Sequence, residues 1–171
     1  MKRIALILLA LPVFGSAQAT EAKHNPVELK ANLLYTALGL PELGFEFFPG
    51  EHSGVGFALA APIDKDIEVR FALTPYYRYY FGEGAAQGFF LELNMQFASI
   101  REVPFTWFGP PIEEPEKSES AFGGGVAAGF KFLAGSGILG ELYLGVGRYL
   151  GDVSGSYEGY PRIGIAFGKR L

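Results

Sequence analysis

Along most of the chain apolar and polar side chains alternate one for one, the period of β-strands whose two faces meet different surroundings. In "IEVRFALTPYYRYYF" (67–81), Val69, Phe71, Leu73, Tyr77, Tyr79 and Phe81 occupy odd positions, and Glu68, Arg70, Thr74 and Arg78 even ones. A helical spacing is sustained nowhere. The alternation, interrupted by turn residues, predicts eight strands over 27–37, 42–49, 55–63, 67–82, 88–102, 121–134, 138–150 and 161–171. "PGEHSG" (49–54), "GEGAAQG" (82–88) and "AGSG" (134–137) have the glycine content of tight turns, whereas 103–120 and 151–160 are longer and more polar. The short turns fall at one end and the long loops at the other, the asymmetry of an outer-membrane barrel.

Strand by strand, parity gathers large apolar residues, among them Leu29, Phe45, Phe57, Phe71, Leu93, Phe130, Leu144 and Ile165, on one face. The opposite face collects Glu28, Lys30, Glu46, Glu68, Arg70, Arg78, Glu92, Lys131, Glu141, Arg162 and Arg170, with Asn32, Asn94, Gln96 and Tyr143. An eight-stranded barrel has an interior only just wide enough for side chains. The large apolar set will not fit there, although a two-sheet sandwich could bury more of it. In a membrane barrel that set meets lipid, and five Glu face six Lys or Arg in the lumen as a structural charge network. A Lys or Arg turned to lipid costs roughly 2–4 kcal/mol at the midplane, so the opposite register would cost on the order of a whole domain's stability. Arg148 and Lys169 share the apolar parity but stand near strand ends, where long side chains snorkel. Pro75, inside a strand, is expected to mark a bulge or kink. The fold class expected is all-β: an eight-stranded antiparallel transmembrane β-barrel, an up-and-down meander with a polar packed lumen.

Composition narrows the setting. Residues 1–19, MKRIALILLALPVFGSAQA, have the charged start, short apolar run and Ala17-Gln18-Ala19 end of a cleaved signal peptide. That run is too short to span a bilayer, which takes about 20 residues. Residues 20–26 then form an N-terminal segment and 27–171 the barrel domain. The chain has no cysteine, which excludes a disulfide scaffold, a thiol nucleophile and Cys-based metal sites. A net charge of −4 and a pI near 5.2 give no reason to expect nucleic acid as a partner. Sixteen Phe, nine Tyr and 24 Gly suit a β-rich chain.

Candidate chemistry is sparse. His24 and His52 are the two histidines, and His52 has Glu51 and Ser53 beside it. Neighbours within one tight turn seldom converge as a nucleophile, base and orienting acid. The longest loop carries Phe105, Trp107 and Phe108, then Glu113, Glu114, Glu116 and Glu119, read as interfacial aromatics and solvated acids. The acid spacing does not match an EF-hand loop. No catalytic, cofactor-binding or metal-ligating residue is assigned, and no cofactor is expected.

Three stretches carry a resemblance: "ELKANLLYTALGLPELGFEFFPG" (28–50), "TPYYRYYF" (74–81) and "PRIGIAFGKRL" (161–171). They resemble small outer-membrane β-barrel proteins of unknown function from Gram-negative bacteria, eight-stranded like the OmpA/OmpX barrels. The closing strand here ends in Leu171 rather than an aromatic. The resemblance implies outer-membrane location, contact with membrane lipid and lipopolysaccharide, and insertion by the barrel-assembly machinery. The expected role is structural, adhesive or envelope-maintaining, with no open channel and no enzymatic activity. The alternatives are a lipid-A-modifying barrel enzyme and a soluble periplasmic lipid-binding β-sandwich.

Overall fold

The computed structural model describes residues 26–64, 67–84, 86–101, 118–150 and 158–171. Eight strands, β1 (Val27–Asn32), β2 (Glu42–Gly50), β3 (Ser53–Ala60), β4 (Val69–Tyr80), β5 (Gly88–Arg101), β6 (Ser118–Leu133), β7 (Ile138–Leu150) and β8 (Gly159–Arg170), follow one another around a closed barrel. Every pairing is antiparallel, and β1 meets β8 to close the ring. This is the meander the alternation predicts, and its closure removes the two-sheet sandwich. The connections 51–52, 81–87 and 134–137 share one end with Val27 and Leu171, called here the turn end. A short helix and the strand ends Ala60, Val69, Arg101, Ser118, Leu150 and Gly159 lie at the other end, called here the loop end.

Burial follows parity. Along β2 it alternates strictly from Glu42 to Phe48, with Glu42, Gly44, Glu46 and Phe48 buried and Leu43, Phe45 and Phe47 exposed. The same alternation leaves Phe57, Tyr79, Leu91, Leu93, Phe97, Val126, Phe130, Leu142, Leu144 and Ile165 on the outside. The Phe-rich set therefore forms an outward apolar belt, and charged residues together with aromatic rings and alanines fill the interior. Small residues make the interior possible: a Cβ on Gly56 would stand 2.5 Å from Tyr76 Cζ, so only glycine lets that ring lie across the lumen.

Two local departures from simple alternation bear on the interior. The first strand stops at Asn32, whose side chain accepts a hydrogen bond from Tyr35 N at 3.3 Å and caps helix α1 (Leu33–Ala37). Leu33 and Tyr35, expected on a strand face, are therefore helical. The expected bulge at Pro75 is absent: β4 pairs with β5 in one register on both sides of it, from Leu73 opposite Phe97 to Tyr76 opposite Asn94. The bulge lies instead at Arg70, where Val69 faces Ile100 and Phe71 faces Ser99. That extra residue changes which side even positions face.

The turn end is stopped from below. Ala86, at φ +48° and fully buried, donates its N–H to Glu51 O at 2.7 Å, and its carbonyl accepts from Arg170 Nη2 at 3.1 Å. The turn between β4 and β5 thus packs under Phe48, Tyr80 and Phe90.

Candidate functional site

The lumen holds a continuous ion-paired network. At its centre Arg78, 1% exposed, donates through Nε to Glu92 at 2.7 Å and through Nη1 to Glu141 at 2.8 Å and Glu46 at 3.4 Å. Lys131 reaches Glu28 at 2.7 Å, Glu46 at 3.1 Å and Glu141 at 3.2 Å. Lys30 pairs with Glu46 and with Glu141, the latter at 2.9 Å. Toward the loop end Arg162 joins Glu92 at 2.8 Å to Glu42 at 3.1 Å; toward the turn end Arg170 meets Glu28 at 2.6 Å. Among the described residues five carboxylates (Glu28, Glu42, Glu46, Glu92, Glu141) thus face five cations (Lys30, Arg78, Lys131, Arg162, Arg170). Desolvation of this many charges is offset only where each has partners in good geometry, and here each has.

Aromatic rings complete the cage. The Arg78 guanidinium carbon lies 4.3 Å from the Phe90 ring centre and 4.5 Å from that of Tyr76, and Arg162 lies 4.8 Å over Tyr143. Lys131 sits 4.5 Å over Tyr80, whose hydroxyl donates to Glu46 at 2.6 Å. Such contacts add attraction where the cation is desolvated. The cavity left among Lys30, Glu42, Tyr76, Arg78, Glu141 and Arg162 is about 10 Å³, at the lower limit for one water.

Nine of the eleven residues expected to form the lumenal network lie in it: Glu28, Lys30, Glu46, Arg78, Glu92, Lys131, Glu141, Arg162 and Arg170. Glu68 and Arg70 do not. Glu68 precedes β4 and is half-buried, while Arg70 is exposed, with Nη1 donating to Ser118 Oγ at 2.7 Å. The bulge at Arg70 is the physical reason, because parity read from the lower strand no longer applies beyond it. Glu42 is the member sequence reading missed. It is the first residue of β2 and shares even parity with Glu46, the one signal that marks it.

The remaining candidates separate. His52 is exposed, its Nδ1 lies 3.1 Å from Tyr80 O, and Ser53 Oγ pairs with Tyr77 Oη at 3.1 Å, so both engage β4 rather than each other. His24 and the segment from Phe105 to Glu116 lie outside the described residues. Arg148 is exposed and pairs with Glu158 at 3.6 Å. The carboxylates of Glu28, Glu46 and Glu141 approach within 4.8 Å of one another, as metal ligands would, but the ammonium groups of Lys30 and Lys131 already stand among them.

A family model described as "Protein of unknown function (DUF3575)" matches residues 4–165. The chain belongs to the DUF3575 family. No curated protein and no solved structure matches this DUF3575 chain. A small barrel of a family without assigned activity is what the resemblance led one to expect.

Proposed function

We propose that this DUF3575 barrel is an exported, closed outer-membrane protein of Gram-negative cells with a structural, adhesive or envelope-maintaining role. One observation carries the reading: a belt of exposed Phe, Leu, Ile and Val encircles a lumen whose buried charges are ion-paired. In water such a belt would be a very large exposed apolar patch, far above the few hundred Å² usual for monomers. In a bilayer it is the ordinary outer surface of a barrel.

Surrounding lipid and lipopolysaccharide are then the immediate partners, and the barrel-assembly machinery inserts the chain after removal of residues 1–19. The filled lumen argues against conduction, since aqueous channels go with wider barrels. Cell fractionation combined with electrophoresis of boiled and unboiled samples tests the location: the reading expects an outer-membrane pool with heat-dependent mobility. A soluble periplasmic pool refutes it, and porin-like conductance of the purified protein in planar bilayers refutes the closed lumen.

A further inference from the structure

The barrel wall is uneven at its seam. β1 pairs with β8 only from Glu28 opposite Arg170 to Asn32 opposite Ala166, so Gly159–Ile165 has no strand partner on that side. At ~3.3 Å per residue this is about 23 Å of strand edge. Helix α1 and two side-chain bonds close the gap: Tyr35 Oη donates to Pro161 O at 2.8 Å, and Asn32 Nδ2 to Ile163 O at 3.1 Å. Pro161 has no N–H to leave unpaired there, as suits an edge.

Behind this stretch, inside the loop-end half of the lumen, the ion network gives way to an apolar chamber. Ala60, Ala72, Ala98 and Ala121 cluster with Ile100, Tyr149 and Tyr160. A cavity of about 360 Å³ is lined there by Ile67, Val69, Ile100, Tyr149, Tyr160 and Pro161, within the ~300–1,000 Å³ range of ligand pockets. Its floor is polar and closed: Tyr160 Oη donates to Asn94 at 2.8 Å and Tyr149 Oη to Gln96 at 2.5 Å, above the ion pairs. Glu68, half-buried, also lines the cavity. On the outer side of the seam β8 presents Ile165 and Phe167 as part of the apolar belt.

Resting on the membrane reading above, we propose that the outer part of the β1–β8 seam is a lateral portal by which one acyl chain of a surrounding lipid reaches the cavity at the loop end. The chemistry selects hydrocarbon, because both ends of the route are largely apolar and the cavity walls offer isoleucine, valine, proline and tyrosine rings. A strand ladder would seal such a route. Here a five-residue helix and two side-chain bonds hold it.

The full mature chain, reconstituted in phosphatidylcholine bilayers doped with a phosphatidylcholine carrying a diazirine in one acyl chain, is irradiated and the labelled residues mapped by mass spectrometry. The portal predicts label on inward Ile100 and Tyr149 as well as on outward Leu93 and Leu144. Tyr35→Phe, which removes one seam bond at an exposed site, is expected to raise inward labelling roughly fivefold, the population change that losing one ordinary hydrogen bond allows. Outward label alone, or inward label indifferent to Tyr35→Phe, overturns the portal. Equal labelling of Ile100 by a charged, water-soluble diazirine that does not partition into the bilayer assigns access to the loop end and overturns it too. Absence of label on Leu93 and Leu144 overturns the membrane reading instead.

Discussion

Replacing Arg78 with alanine probes the lumen where its charges are most interdependent. The side chain is 1% exposed and touches three carboxylates, Glu92 at 2.7 Å, Glu141 at 2.8 Å and Glu46 at 3.4 Å, while its guanidinium lies against Phe90 and Tyr76. Glu46 and Glu141 retain Lys30 and Lys131, and Glu92 retains Arg162. The variant therefore leaves carboxylates under-neutralised rather than bare, with a void beside two rings. Breaking a buried pair by removing one member costs about 3–5 kcal/mol, roughly a fifth or more of an ordinary domain's stability of about 5–15 kcal/mol. At about 2–4 °C per kcal/mol for a chain of this size, the melting point should fall by roughly 6–20 °C. The comparison is Arg70→Ala, an exposed arginine at the bulge, expected to change stability by no more than ~1 kcal/mol. Urea and thermal unfolding in one detergent, followed by the mobility shift between folded and unfolded forms, measures both. If the two variants unfold alike, the lumenal pairs do not hold the barrel and the energetic account of the interior is wrong.

The outward face has its own test: Leu93→Arg, at an exposed mid-strand position, should cost about 2–4 kcal/mol for unfolding from lipid vesicles, and Leu150→Arg at the loop-end rim about 0–1 kcal/mol. Gly56→Ala must displace the Tyr76 ring, with Cβ to Oη at 2.6 Å, and should lower the yield of folded barrel, whereas Gly44→Ala meets nothing nearer than 3.8 Å and should refold like the parent. Asn32→Ala deprives Glu42, Tyr143 and Ile163 O of one amide donor and α1 of its cap, a loss of about 1–3 kcal/mol readable in the same urea titration.

Much of this architecture is legible in the sequence because one residue of alternation maps onto one change between the outer and the inner face of the barrel. In β5 the series Glu92, Asn94 against Leu91, Leu93, Met95 states both faces outright. Legibility fails where residue type and position disagree. Phe48, Tyr76, Tyr80 and Phe90 have inward parity but oily rings, and only the cations beside them show why they turn in. Helix α1 hides in "LLYTA" because five residues cannot display a helical period, although Asn32 ahead of them is a good cap. Glu42 is hidden by its place at the start of a strand, directly after Pro41. Arg70 is lost to a bulge with no glycine or proline to announce it, while Pro75, which suggests one, keeps its strand in register.

On the membrane reading proposed above, alternate side chains on each strand meet hydrocarbon outside and fixed ion pairs within. Because the chain has no cysteine, single cysteines at Leu91, Leu93 and Met95 can carry nitroxide labels in reconstituted bilayers without background. Electron paramagnetic resonance should find all three mobile, readily relaxed by oxygen and shielded from a water-soluble nickel complex. Labels that the nickel complex relaxes freely, or that are immobilised as in a protein core, would contradict it.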